Sequence, residues 1–200
     1  MYLKFGRVRV HVTFAFALFT AFAASSAAGE RLALTFASAL LHECVHLVFL
    51  TGFGCTGIKL TLNPGGAAIS CAGTELLPET KQLAALLSAP SVNIIAGVLL
   101  AVIGNALSAP ELKTAANINL WLGGVNLLPL GFLDGGRALK AALGMKYRAD
   151  MVRKITRVCD ILAAALLTAV TVLLIFMHRA PGGAVFFALY CLVFSLFLKK

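Results

Sequence analysis

Apolar residues run through this chain in long blocks, separated by short polar breaks. Six blocks stand out: 11–28, 32–51, 83–108, 115–143, 161–177 and 184–198. Each is roughly as long as the apolar core of a bilayer demands of a helix. The pattern predicts an all-α polytopic membrane protein of about six transmembrane helices, forming a single domain over 1–200. The longest polar segment follows the second block. Within it Ile58–Leu62 alternates, Asn63-Pro64-Gly65-Gly66 reads as a turn, and Ala67–Ser70 resumes the apolar pattern. That pattern predicts a short β-hairpin or re-entrant loop, with an ordinary surface turn as the alternative.

Two blocks carry interruptions. Pro90 and Asn93 lie inside the third, and backbone groups freed by an intramembrane proline must be satisfied by neighbours. The fourth is broken by Gly123-Gly124 and again by Asn126–Arg137, as expected where backbone lines a protein-walled cavity. The first block has a basic head, Lys4, Arg7 and Arg9, and ends in small residues. Those features also fit a cleaved signal peptide, but the block's length favours a retained span.

Composition changes the picture in one respect. The chain is 60% hydrophobic and 12% charged, about half the charge of a soluble domain. The net charge of +9 therefore reflects basic loops and excludes a nucleic-acid partner as the leading reading; the lipid bilayer is the partner it implies. Fourteen of the 17 Lys and Arg residues fall on the side of both termini, leaving Arg31, Lys113 and Arg179 opposite. The bias favours cytoplasmic termini. The second and fourth blocks then run in the same direction, so their polar motifs meet at similar depth. The five cysteines include no C-x-x-C pair and imply no disulfide framework.

The candidate chemistry lies at His42-Glu43-Cys44-Val45-His46 in the second block. Spacing of four residues on a helix stacks both imidazoles on one face, within reach of one metal ion. Glu43 stands beside them as a candidate general base, the H-E-x-x-H arrangement of zinc peptidases. The alternative is a pair of core histidines with Glu43 in an ion pair. No Lys or Arg lies between Arg31 and Lys59, so that alternative strands a carboxylate in apolar surroundings. A catalytic zinc needs a third protein ligand. His11 and His178 lie at block ends, and Asp160 reads as a helix-end or ion-pair residue. Asp134, deep in the broken fourth block, is the best candidate. An Asx turn or an ion pair with Arg137 is the competing role for it.

Taken together, His42-Glu43-x-x-His46 and Asn126-x-x-Pro129-x-x-x-x-Asp134-Gly135 resemble the site-2 protease family of intramembrane zinc proteases. Ser88-Ala89-Pro90-x-x-Asn93 resembles that family's Gly-Pro-x-x-Asn span, and Pro64-Gly65-Gly66 its hairpin. His11, the short basic head and the absence of a PDZ-like insertion look closest to the stage IV sporulation protease branch. The resemblance covers roughly 9–143. It implies Zn2+ on His42, His46 and Asp134, with Glu43 and Asn126 as catalytic residues, Asn126 steadying an oxyanion. It also implies a membrane-tethered protein substrate cleaved within the bilayer, a bacterial cytoplasmic membrane, and a regulatory membrane partner or oligomer. Ala89 and Cys44 depart from the usual pattern. The branch's C-terminal nucleotide-sensing domain has no counterpart in 1–200, so nucleotide-linked regulation is not carried over. The rival functions are a metal transporter, which needs ligands along a path, and a non-proteolytic metal-binding scaffold, which need not retain Glu43.

Overall fold

The computed structural model describes residues 2–5, 8–12, 29–63, 66–72, 77–177 and 182–197. Most of these are helical, as expected. Six helices are present among them: α1 (Gly29–Gly52), α2 (Glu79–Ala106), α3 (Pro110–Asn126), α4 (Asp134–Gly144), α5 (Ala149–Phe176) and α6 (Gly182–Phe197). Among the described residues, three stretches are long and apolar enough to cross a membrane: Arg31–Gly52, Glu79–Ala106 and Ala149–Phe176. Large apolar side chains such as Val102, Trp121, Leu166 and Phe176 are exposed on them and their neighbours. The buried residues of α2 are small or polar, Ala85, Ala89, Asn93, Gly97 and Gly104 among them. Small residues inside and large ones outside are the arrangement of a protein whose solvent is lipid.

The chain forms two compact units, 1–124 and 125–200. The first holds a four-stranded sheet in the order β1 (Tyr2–Phe5), β2 (Val8–Val12), β3 (Thr56–Asn63), β4 (Gly66–Ala72). β3 and β4 form the expected antiparallel hairpin, with Asn63 opposite Gly66. Residues 64 and 65, the centre of the predicted turn, lie outside the described residues. The register shifts between Thr56 and Lys59, where Gly57 takes φ 65°. Such a positive φ marks a bulge that suits glycine. The two N-terminal strands are a departure from the sequence reading. β2 pairs parallel with β3, placing His11 opposite Thr61, and so His11 is a strand residue. The rest of the expected first span, 13–28, lies outside the described residues.

α1 ends in a Schellman turn. Gly54 has φ 87°, its N–H donates to the Thr51 carbonyl, and the Cys55 N–H donates to the Leu50 carbonyl. Leu50 and Cys55 then pack together against Ala85, the apolar contact that accompanies this cap. α2 ends the same way, with Ser108 in the left-handed position at φ 52° and Ala109 N–H on the Gly104 carbonyl. Pro110 follows as the first residue of α3, where a missing N–H costs nothing. Gly123-Gly124 does not break α3, which runs on to Asn126. Gly123 instead serves close packing: a Cβ there would lie 2.8 Å from the Pro90 carbonyl oxygen and from Ile94 Cγ1.

In the second unit, the irregular segment 127–133 leads into α4. Leu130 anchors it, buried with Ala164 of α5 and Cys191 of α6. Phe132 meets Tyr190 edge to face at 5.3 Å between ring centroids. The Gly131 N–H donates to Asp160 Oδ1 at 2.6 Å. Asp160 thus stands well inside α5, which begins at Ala149, and ties down the segment before Asp134; it is not a helix-end residue.

Candidate metal centre

His42 and His46 lie on consecutive turns of α1, both buried, with ring centroids 4.8 Å apart and planes nearly perpendicular. Each ring is held through Nδ1. His42 Nδ1 is 2.8 Å from Asn93 Oδ1, and His46 Nδ1 is 2.9 Å from the Ala85 carbonyl oxygen. Both partners are acceptors, so both Nδ1 atoms carry the proton. Nε2 of each ring is then the atom with a lone pair for a metal. An imidazole that donates its other N–H to an oxygen is the usual state of a metal-ligating histidine.

Glu43 follows His42 on α1 and is half-buried. Cys44, next in the chain, is exposed and takes no part. Asn126 closes α3. His178 lies outside the described residues.

Asp134 is the first residue of α4 and is buried, while Arg137 is exposed. A carboxylate in a first helical turn is favoured by the exposed N–H groups there. The two glycines after it have a steric purpose. A Cβ on Gly135 would overlap the Leu127 carbonyl, and one on Gly136 would overlap the Leu130 carbonyl. The segment 127–133 can therefore fold back against the start of α4 only if both positions lack side chains.

His42 and His46 stand together on α1, and Asp134, at the start of α4, is the third candidate ligand. Two neutral imidazole nitrogens and one carboxylate oxygen are a donor set that suits zinc and leaves a fourth position open.

Residues 81–170 match the family model described as Peptidase family M50. The matched segment includes Asn93, Asn126 and Asp134, and His42 and His46 precede it. The chain is 35% identical over 120 residues to the zinc metalloprotease MJ0392 of Methanocaldococcus jannaschii, a match covering 57% of this chain and 34% of that protein. It thus spans about a third of the length of that curated relative. The fold is similar to that of the site-2 protease from the same organism, with a TM-score of 0.68 and 24% identity over 98% of this chain and 93% of that one.

Sequence reasoning missed the polar partners of the histidines. Asn93 shows in the sequence as a polar interruption of the third block and as part of a resembling motif, and Asn119 and Ser38 give no sign beyond being polar residues in apolar runs.

Proposed function

We propose that this protein is a zinc metalloprotease that cleaves a membrane-tethered protein substrate within the bilayer. The observation that carries the reading is the pair of buried imidazoles on α1, each held through Nδ1, with Glu43 between them in the chain; Asp134 is the proposed third ligand. His42, His46 and Asp134 would hold the Zn2+ ion. When bound, zinc makes water acidic enough to ionise near neutrality and polarises the scissile carbonyl. Glu43, one residue from a ligand, takes the proton of the attacking water and delivers it to the leaving amine. Asn126 donates its amide N–H to the oxyanion that forms as the carbonyl is attacked.

A helical substrate must unwind before its peptide bonds are accessible. The sheet offers a template for the unwound strand. β3 is paired on both sides, by β2 and β4, so it has no edge to give. β4 is an outer strand of the sheet, and an extended peptide adding there would gain main-chain hydrogen bonds. Cytoplasmic termini, the orientation favoured by the basic residues, would put the site nearer the cytoplasmic face.

The test is cleavage of a candidate membrane-tethered substrate by the purified chain in detergent or liposomes, with and without a zinc chelator. Glu43→Gln is expected to bind zinc at the parent's stoichiometry and to cleave nothing. Turnover by that variant overturns the role given to Glu43. Chelator-resistant turnover by the parent overturns the metalloprotease reading.

A further inference from the structure

The His42–Asn93 hydrogen bond is the last link of a buried network that crosses α1, α2 and α3. Ser38, one turn before His42, donates its hydroxyl to the Leu34 carbonyl at 2.9 Å. Its oxygen accepts from Asn119 Nδ2 at 2.8 Å, and the same Nδ2 donates to the Ala115 carbonyl at 2.9 Å. Asn119 Oδ1 accepts from Asn93 Nδ2 at 2.8 Å. The second hydrogen of Asn93 Nδ2 reaches the Ser38 carbonyl at 3.3 Å. Asn93 Oδ1 is left facing His42 Nδ1. Ser38, Asn93 and Asn119 are all buried, Asn93 completely.

The direction of every bond follows from three backbone carbonyls, which only accept. Turning the Asn119 amide over would set its oxygen against the Ala115 carbonyl and its nitrogen against Asn93 Nδ2. Turning Asn93 over would set its oxygen against the Ser38 carbonyl and present an N–H to His42. In that state His42 would have to accept at Nδ1 and carry its proton on Nε2, which would then offer no lone pair to a metal. Each reversal leaves like groups facing in a buried site, where an unsatisfied polar atom is costly. Helix packing brings the two amides together, since Gly123 lets α3 approach the Pro90 turn of α2.

We infer that Asn119 and Ser38 are positioning residues for the metal: through Asn93 they hold His42 in the tautomer that presents Nε2. The inference rests on His42 being a metal ligand. Neither residue touches the site, and the relay acts through hydrogen-bond polarity.

The decisive measurement is zinc affinity, by chelator competition on the full chain in detergent, in a Glu43→Gln background so that turnover plays no part. Thermal unfolding without metal reports the structural cost separately. Asn119→Leu keeps the branched side-chain shape and removes the amide; it is expected to weaken zinc about tenfold, the scale of losses when an outer partner of a ligand is removed. Ser38→Ala is expected to weaken zinc by a smaller factor, and Ser38→Thr, which restores the hydroxyl, to bind as the parent does. Cobalt(II) substitution supplies a spectroscopic check, with the visible bands of Asn119→Leu displaced from the parent's. Parent-like zinc affinity and cobalt bands in Asn119→Leu would overturn the relay. If Asn119→Leu does not fold, the Ser38 pair decides: equal affinity in Ser38→Ala and Ser38→Thr overturns it. A parent protein that binds no zinc overturns the metal reading itself.

Discussion

His42 Nδ1 lies 2.8 Å from Asn93 Oδ1, a contact between residues 51 apart in the chain. The amide oxygen fixes where the imidazole proton sits, and so decides which nitrogen is offered to a metal. Asn93→Ala removes that acceptor and leaves a buried N–H unsatisfied. Zinc affinity is expected to fall about 10- to 100-fold, the range for lost partners of metal-bound histidines. The apo protein is expected to lose about 1–3 kcal/mol of stability. Chelator competition and thermal unfolding measure the two effects.

Asp134→Ala removes the carboxylate of the proposed ligand set. Two histidines remain, too few to close a catalytic zinc site. Metal analysis of the purified variant is expected to show less zinc than the parent under the same dialysis. Equal zinc content would require another third ligand.

Asp160 is tested by comparing Asp160→Ala with Asp160→Asn. The first removes the acceptor of the Gly131 N–H, the second keeps an amide oxygen in its place. A hydrogen bond of this kind at a partly exposed site is worth about 1 kcal/mol, or roughly fivefold in an equilibrium. Cleavage by Asp160→Ala is expected to fall by about that factor, and Asp160→Asn to stay near the parent. Equal rates in all three proteins would show that the segment before Asp134 does not need this tie.

Ser108 holds φ 52° at the end of α2. A residue with a Cβ pays about 1 kcal/mol in that conformation, and glycine avoids the cost. Ser108→Gly is expected to stabilise the protein by about 1 kcal/mol without altering zinc binding. A midpoint of unfolding at or below the parent's would contradict this.

Membrane orientation is tested with single cysteines in a background lacking the native ones. With cytoplasmic termini, Lys146→Cys is expected to label from the cytoplasm and Lys113→Cys from outside. His46 is five residues from Thr51 and His42 nine, so the metal would lie about 10 Å inside the cytoplasmic boundary. Product cut at that depth keeps too short an apolar remnant to span. The reverse labelling pattern would reverse the topology and remove this account of product release.

The sequence by itself determined the class of protein and the core of its candidate site. Apolar blocks of bilayer length and sparse charge leave few alternatives to a helical membrane protein. The His42–His46 spacing is legible because helix geometry is local: a residue and its fourth neighbour share a face in any α-helix. The β3–β4 hairpin was legible for the same reason, from alternation and a turn. The N-terminal strands had a comparable signal in Leu3-Lys4-Phe5 and Val8-Arg9-Val10-His11-Val12, but basic residues before an apolar run read first as a membrane flank.

Tertiary structure alone decided the rest. Gly123-Gly124 looks like a break in a linear reading, yet Gly123 is a contact with the Pro90 turn, and no local pattern encodes what approaches a missing Cβ. Asp160 reads as a helix end until α5 is seen to begin at Ala149 and the Gly131 N–H is found on its carboxylate. Ser38, Asn93 and Asn119 are far apart in the chain, and their order as donors and acceptors exists only once three helices pack. Hydrogen-bond polarity is a property of neighbours in space, so the residues that set the tautomer of His42 emerge only from the fold.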